Sequence, residues 1–166
     1  MTAQAKRNSE LEAPHAEAEA EVDRGPLARR LGYVLRRAQI AVFKDFFAAF
    51  APFDIKPAQY SILTVIESNP RLKQTQVSDA LGIKRTNFVA MIDELEARGL
   101  VRRDEAPGDR RSHALVLTRA GAALMPKLHA TSAAHEQGLI DALGPARHRE
   151  MLGALAQLAS ALGDRD

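Results

Sequence analysis

Four arginines flank a Pro-Gly turn in the segment RRDEAPGDRRSHALVLT: Arg102 and Arg103 precede Pro107-Gly108, and Arg110 and Arg111 follow it. A guanidinium is thin and weakly hydrated, so it can enter a narrow minor groove where negative potential is concentrated. Asp109 lies two residues from Arg111, where a carboxylate could hold one guanidinium in a fixed pose while Arg110 points elsewhere. Taken alone, the segment reads equally well as a solvated turn with an ion pair worth under about 1 kcal/mol. A second cluster, Lys84-Arg85-Thr86-Asn87, combines cations, a hydroxyl and an amide, all suited to phosphates and base edges.

Other chemistry has less to stand on. The sequence holds no Ser-His-Asp set, phosphate loop, paired-carboxylate site or HExxH motif, so no enzyme and no cofactor is expected. Of the five histidines (His15, His113, His129, His135, His148), His129 and His135 are six residues apart. That spacing puts them on different sides of a helix, so no metal site is expected. With no cysteine in 166 residues, disulfides, thiolate nucleophiles and Cys-ligated zinc are excluded. No apolar run approaches the ~18 residues a membrane span needs, and the N-terminus lacks a secretory signal core. The expectation is a cytoplasmic protein with no membrane partner. A formal net charge of +2 decides nothing by itself; the placement of the charges does.

Residues 1–26 are built of Ala and Glu with almost nothing large and apolar, and read as a disordered acidic tail. From Leu27 the pattern turns helical, with Leu27, Leu31, Val34, Ala38, Val42 and Phe46 on one face and further aromatics at Phe43, Phe47 and Phe50. So broad an apolar face has more to bury than one neighbour covers, and self-association is a plausible outlet. KPAQYSILTVIES is a second helix with Pro57 in its first turn. TQVSDALGI is a short third, stopped by Gly82, and RTNFVAMIDELEARG a fourth, ended by Gly99. Two helices joined by a tight Gly-containing turn make a helix-turn-helix. Alternating residues then predict a β-hairpin with Leu115 and Leu117 on one face. Thr118 is a good N-cap for RAGAALMPKLHATSAAHEQGLIDAL, which Pro126 should kink or divide, and a last helix follows Gly144-Pro145. The expected class is mainly α with a small β-hairpin wing, in the order α-α-α-α-β-β-α-α. The expected divisions are the tail (1–26), an N-terminal dimerisation helix (27–56), a winged helix-turn-helix lobe (57–118) and C-terminal dimerisation helices (119–166).

A helix-turn-helix followed at once by a basic hairpin describes a winged helix. Its exposed helix fits a DNA major groove and offers free N–H groups and a positive dipole end to phosphates. The alternative is a winged helix used only for protein contact. The candidate DNA-binding residues are Lys73, Gln74 and Thr75 before and in the third helix, and Lys84, Arg85, Thr86, Asn87, Val89 and Ala90 around the fourth. Arg103, Asp109, Arg110, Arg111 and Ser112 complete the set on the wing. Tyr33, Arg36, Arg37, Phe43, Phe46, Phe47 and Tyr60 place aromatic surface near cations, which would suit an aromatic carboxylate or its CoA thioester. Such residues more often serve as core and dimer packing.

The segment DRRSHALVLTRAG resembles the wing signature of the MarR family of regulators, with Asp109, Arg111, Leu115, Leu117, Thr118 and Gly121 on its pattern. QTQVSDALGIKRTNFVAMIDELEARGLVRR resembles the family's helix-turn-helix, including Asp93, Leu95, Gly99, Leu100 and Val101. The resemblance covers about residues 27–162. It implies a homodimer held by the first and last helices, binding double-stranded DNA at a pseudo-palindrome, with Arg111 and Arg110 at the minor groove and Asp109 positioning Arg111. It further implies a repressor released by a small anionic aromatic effector bound between the dimerisation helices and the DNA-binding lobe. Two features depart from the pattern. Lys84 stands where a Ser, Asp or Thr often caps the fourth helix, and Val89 and Ala90 replace the usual Thr and Arg, shifting base reading toward Arg85, Thr86, Asn87 and contacts with thymine methyls.

Overall fold

The computed structural model describes residues 22–106 and 109–163, with the backbone alone for 106 and 109–112. The described chain forms α1 (Leu31–Phe50), α2 (Pro57–Ser68), α3 (Gln74–Ala80), α4 (Arg85–Ala97), β1 (Val101–Ala106), β2 (Asp109–Leu117), α5 (Arg119–Leu143) and α6 (Pro145–Gly163). A 3-10 turn at Gly25–Arg29 precedes α1, and another at Ala51–Phe53 follows it. This is the mainly helical, hairpin-bearing winged helix expected from the sequence.

Two compact units divide after Arg37. In the first, the turn at Gly25–Arg29 and the opening of α1 leave Leu27, Leu31, Val34 and Leu35 exposed. The second, from Ala38 onward, holds the core. Phe46 and Phe50 of α1 stack with ring centroids 3.9 Å apart and join Ile62, Leu63 and Ile66 of α2, Val77 of α3, and Phe88, Ile92 and Leu95 of α4. Leu115 of β2 and Met125 and Leu128 of α5 close that core, with Leu117 packed against it. The buried positions on each helix recur every three or four residues, which fixes the face each helix turns inward.

Both helices of the helix-turn-helix end in a glycine of left-handed conformation. After α3, Gly82 (φ 61°) donates to the Asp79 carbonyl at 3.1 Å and Ile83 donates to Ser78 at 3.0 Å. After α4, Gly99 (φ 66°) donates to Glu96 at 2.8 Å and Leu100 to Leu95 at 2.9 Å. This paired bonding satisfies the last carbonyls and turns the chain sharply, aiming α4 away from α3 and starting β1 immediately after α4.

β1 and β2 pair antiparallel with Val101 opposite Leu117 and Glu105 opposite His113. The register then jumps to Ala106 opposite Asp109. Residues Arg71–Lys73 add a short third edge. Arg71 donates to Leu115 at 3.2 Å and Leu115 to Leu72 at 2.9 Å, and Lys73 bridges to Ala114.

Thr118 starts α5. Its Oγ1 accepts from the Gly121 N–H at 3.0 Å and donates to the Gly99 carbonyl at 2.5 Å. One side chain thus joins the end of α4 to the start of α5. Thr118→Ala should destabilise the fold by about 1 kcal/mol, lowering the melting temperature by about 3 °C in a thermal melt followed by circular dichroism.

α5 runs through Pro126 as one helix, so of the two expected effects, a kink or a division, the division does not occur. Met125 and Leu128, both fully buried, anchor the chain on either side of the proline and offset its lost hydrogen bond. Three histidines tie helices together. His129 of α5 lies 3.1 Å from the Tyr60 hydroxyl and 2.5 Å from Glu67 of α2. His135 of α5 lies 3.4 Å from Asp45 of α1, and His148 of α6 is 2.6 Å from Glu136. None of the described helices is long and apolar enough to cross a membrane.

Candidate nucleic-acid interface

With Phe88, Ile92 and Leu95 buried, the remaining surfaces of α4 follow from its period of 3.6 residues. Thr86 and Ala90 fall opposite the core. Arg85, Val89 and Glu96 lie on the flank toward the wing, whereas Asn87, Met91 and Glu94 lie on the other. Lys84, Arg85, Thr86, Asn87, Val89 and Ala90 are all exposed. Val89 is 40% exposed although apolar, which leaves its methyls free to meet another apolar group.

Lys84 is the N-cap residue of α4 and makes no side-chain cap. The N–H groups of Arg85, Thr86 and Asn87 therefore have no side-chain acceptor from that residue, while the lysine adds positive charge beside them. Free N–H groups, a positive dipole end and two cations together form a site for an anion such as a phosphate.

The start of α3 is built differently. The Lys73 N–H donates to Gln76 Oε1 at 2.9 Å, closing the first turn. Gln74, half-buried, accepts from Arg103 Nε at 3.2 Å, and Thr75 is exposed. Gln74 is thus committed to an internal bond.

Arg103 is the largest revision to the predicted set. Its guanidinium pairs with Glu96 and, at 2.6 Å, with Asp93, both on α4, while its own N–H donates to Glu96 Oε1 at 3.1 Å. Only 19% of its side chain is exposed. The residue braces β1 against α4 and α3, with each of its three guanidinium nitrogens bonded to one of Gln74, Glu96 and Asp93. Its exposed neighbour Arg102 pairs with Asp104 at 3.1 Å, and Arg71 reaches the same carboxylate at 3.6 Å. Asp109, Arg110, Arg111 and Ser112 belong to β2. Their side chains, and so the Asp109–Arg111 pairing, lie outside what is described, as does the Pro107-Gly108 tip.

On the other flank of α4 lies a groove of about 610 Å³. Its apolar walls are Phe43 and Phe47 of α1, Pro57 of α2, Leu81 and Ile83 of the turn, and Met91 of α4. Lys56, Gln59, Ser61, Asn87 and Glu94 supply its polar groups, the Ser61 hydroxyl donating to the Pro57 carbonyl at 3.1 Å. Gln59 is 2% exposed; it accepts from the Lys56 N–H at 3.0 Å and donates to Glu94 Oε2 at 2.8 Å. Lys56 Nζ reaches that same oxygen at 3.3 Å.

Among the predicted effector residues, the groove brings together Phe43 and Phe47. It does not include Phe46, buried and stacked on Phe50, or Tyr60, whose ring packs on Phe46 and Phe50 and whose hydroxyl meets His129. Those two serve the core. Tyr33, Arg36 and Arg37 belong to the first compact unit; Tyr33 is half-buried and both arginines are exposed. Sequence reasoning missed Glu94 and Gln59, which lie at unremarkable positions in two separate helices.

Comparison with known proteins agrees with this architecture. A family model described as MarR family matches residues 53–112. A regulatory protein named for the hcr operon of Thauera aromatica is 32% identical over 140 residues, covering 84% of each chain. A structure of the transcriptional repressor CouR bound to a 23-mer DNA duplex is 44% identical, with a TM-score of 0.80, covering 84% of this chain and 99% of that one. A second CouR structure, bound to p-coumaroyl-CoA, is 41% identical with a TM-score of 0.79, covering 84% of this chain and 98% of that one. With the order of elements, the helix-turn-helix and the wing all in place, this chain is a transcriptional regulator belonging to the MarR family.

Proposed function

We propose that the protein is a ligand-responsive repressor that binds a pseudo-palindromic operator as a homodimer and is released by a small aromatic acid or its CoA thioester. The observation that carries this reading is that one helix serves two surfaces. The N-terminal half of α4 presents Lys84, Arg85, Thr86 and Val89 to solvent, its other flank walls the groove through Asn87, Met91 and Glu94, and exposed Ala90 borders both. A ligand that fills the groove therefore presses on the helix that would read DNA. The CouR structures support the two partners, since that repressor is found with a DNA duplex and with p-coumaroyl-CoA.

Dimerisation is supported by apolar surface that this chain leaves uncovered. Met151, Leu152, Leu155 and Leu162 of α6 are exposed, Leu152 by 55%, as are Leu31, Val34, Leu35 and Ile40 of α1. Burying such residues gives ~25 cal/mol per Å², and two helices with unpartnered apolar stripes are suited to cover one another's copies. Cations at the start of α4 would contact phosphates; Thr86, Val89 and Ala90 would face base edges. Thr75 and Lys73 at α3 would flank the backbone, and Arg110 and Arg111 would enter the minor groove.

Fluorescence anisotropy on a duplex from the gene's own upstream region tests the reading. Specific, salt-sensitive binding that p-coumaroyl-CoA reverses is expected; binding no tighter than to unrelated DNA would refute it. Arg111→Ala should weaken operator binding at least tenfold and leave the sedimentation coefficient unchanged. A shift to monomer in that variant would mean the residue serves assembly instead.

A further inference from the structure

The polar groups of the groove are not those of an anion site. Glu94 places a carboxylate at the end of the groove nearest the start of α2, and the one cation beside it, Lys56, is already paired with it at 3.3 Å. Gln59 Nε2 donates to the same oxygen, Oε2, which leaves Oε1 to accept a further hydrogen bond. A ligand carboxylate placed there would meet a like charge, with no second cation among the described residues that line the groove to offset it. A ring hydroxyl would instead donate to Glu94, and a hydrogen bond to a charged acceptor is about twice as strong as a neutral one.

Seven residues earlier on the same flank of α4, Asn87 also lines the groove. Its side-chain amide makes no hydrogen bond among the described residues and is free to donate. Two helical turns separate the two residues by about 10 Å along the axis. The walls between them are apolar: Phe43, Phe47, Leu81, Ile83 and Met91. The pattern is an acceptor, an apolar slot and a donor. A hydroxyaryl acyl thioester presents the complementary order of hydroxyl, ring and carbonyl, and carries no charge at the acyl group.

Resting on the reading that the groove takes the effector, we propose that Glu94 selects an acyl-CoA thioester whose aryl ring bears a hydroxyl, with Asn87 donating to the thioester carbonyl. Both contacts fall on α4, so the hydroxyl that confers selectivity also engages the helix that would read DNA. Lys56 and Gln59 hold the Glu94 carboxylate in place from α2.

Isothermal titration of the full-length protein with four CoA thioesters tests this: 4-hydroxycinnamoyl, cinnamoyl, 4-methoxycinnamoyl and 4-carboxycinnamoyl. The hydroxy compound should bind about tenfold tighter than the unsubstituted one. The methoxy analogue should lose that advantage and the carboxy analogue should bind weakest. In Glu94→Gln, where the amide oxygen can still accept from Gln59, the gap between hydroxy and unsubstituted compounds should shrink to about threefold or less. The analogue series on the unaltered protein decides the matter should that variant fail to fold. Equal affinity for the hydroxy and unsubstituted thioesters would overturn the role of Glu94 while leaving an aromatic effector in place. No binding of any of the four would overturn the effector reading itself, and this proposal with it.

Discussion

Gly121→Ala should destabilise the protein by about 3 kcal/mol and lower its melting temperature by about 10 °C. A Cβ added at Gly121 would sit 2.1 Å from the Leu100 carbonyl oxygen and 3.0 Å from its carbon. The obstacle is backbone, and that backbone is pinned from several sides. The Leu100 carbonyl accepts from the Thr118 N–H at 3.0 Å, and the Leu100 N–H closes the end of α4 on Leu95 at 2.9 Å. Moving it to admit a methyl group would disturb the α4 terminus, the start of β1 and the cap of α5 together. Native stabilities are small, so a loss of this size should also reduce soluble yield. A melting temperature within about 2 °C of the unaltered protein would show that α5 can shift outward freely, and would contradict the tight junction described.

Arg103→Ala has the larger expected effect on DNA. It removes the guanidinium shared by Asp93, Glu96 and Gln74, leaving two carboxylates on α4 without their cation beside a polyanion. On the proposed function, operator affinity should fall by about ten- to a hundredfold, the equivalent of one or two charge-assisted hydrogen bonds. The salt dependence separates a brace from a direct contact. A residue that neutralises a phosphate contributes about one to the slope of log affinity against log salt, and Arg103 should contribute nothing. A slope reduced by about one in the variant would show that the residue leaves its internal partners to bind DNA. Arg103→Lys should recover only part of the loss, because an ammonium cannot reproduce the fork that spans both carboxylates.

Much of this architecture was legible in the sequence because local signals agree with the fold. Gly82 and Gly99 mark the ends of α3 and α4 since each must take a left-handed conformation. Thr118 marks the start of α5, and the switch to alternating residues after Gly99 marks the wing. What escaped depends on neighbours distant in sequence. The edge formed by Arg71–Lys73 arises from pairing with β2, and nothing in its composition announces a strand. Pro126 argued for a break, yet burial of Met125 and Leu128 outweighs it.

The same distinction applies to the site. The exposed cations of α4 were readable from position alone, whereas Arg103 looked like its neighbours until Asp93 and Glu96 were seen beside it. Phe43, Phe46 and Phe47 are equivalent as a string. Helix geometry sends Phe46 into the core and leaves Phe43 and Phe47 on the groove. Glu94 gave no signal, because an exposed glutamate on a helix is ordinary until Gln59 and Lys56 converge on it.

On the proposed function, the groove and the surface that would read DNA are coupled through α4. That coupling is tested most directly by measuring operator affinity at increasing p-coumaroyl-CoA, and p-coumaroyl-CoA affinity with and without operator. Linkage requires the two affinities to change by one common factor, and coupling through a shared helix predicts weakening of at least tenfold in both directions. Operator affinity that stays constant at saturating p-coumaroyl-CoA would contradict it.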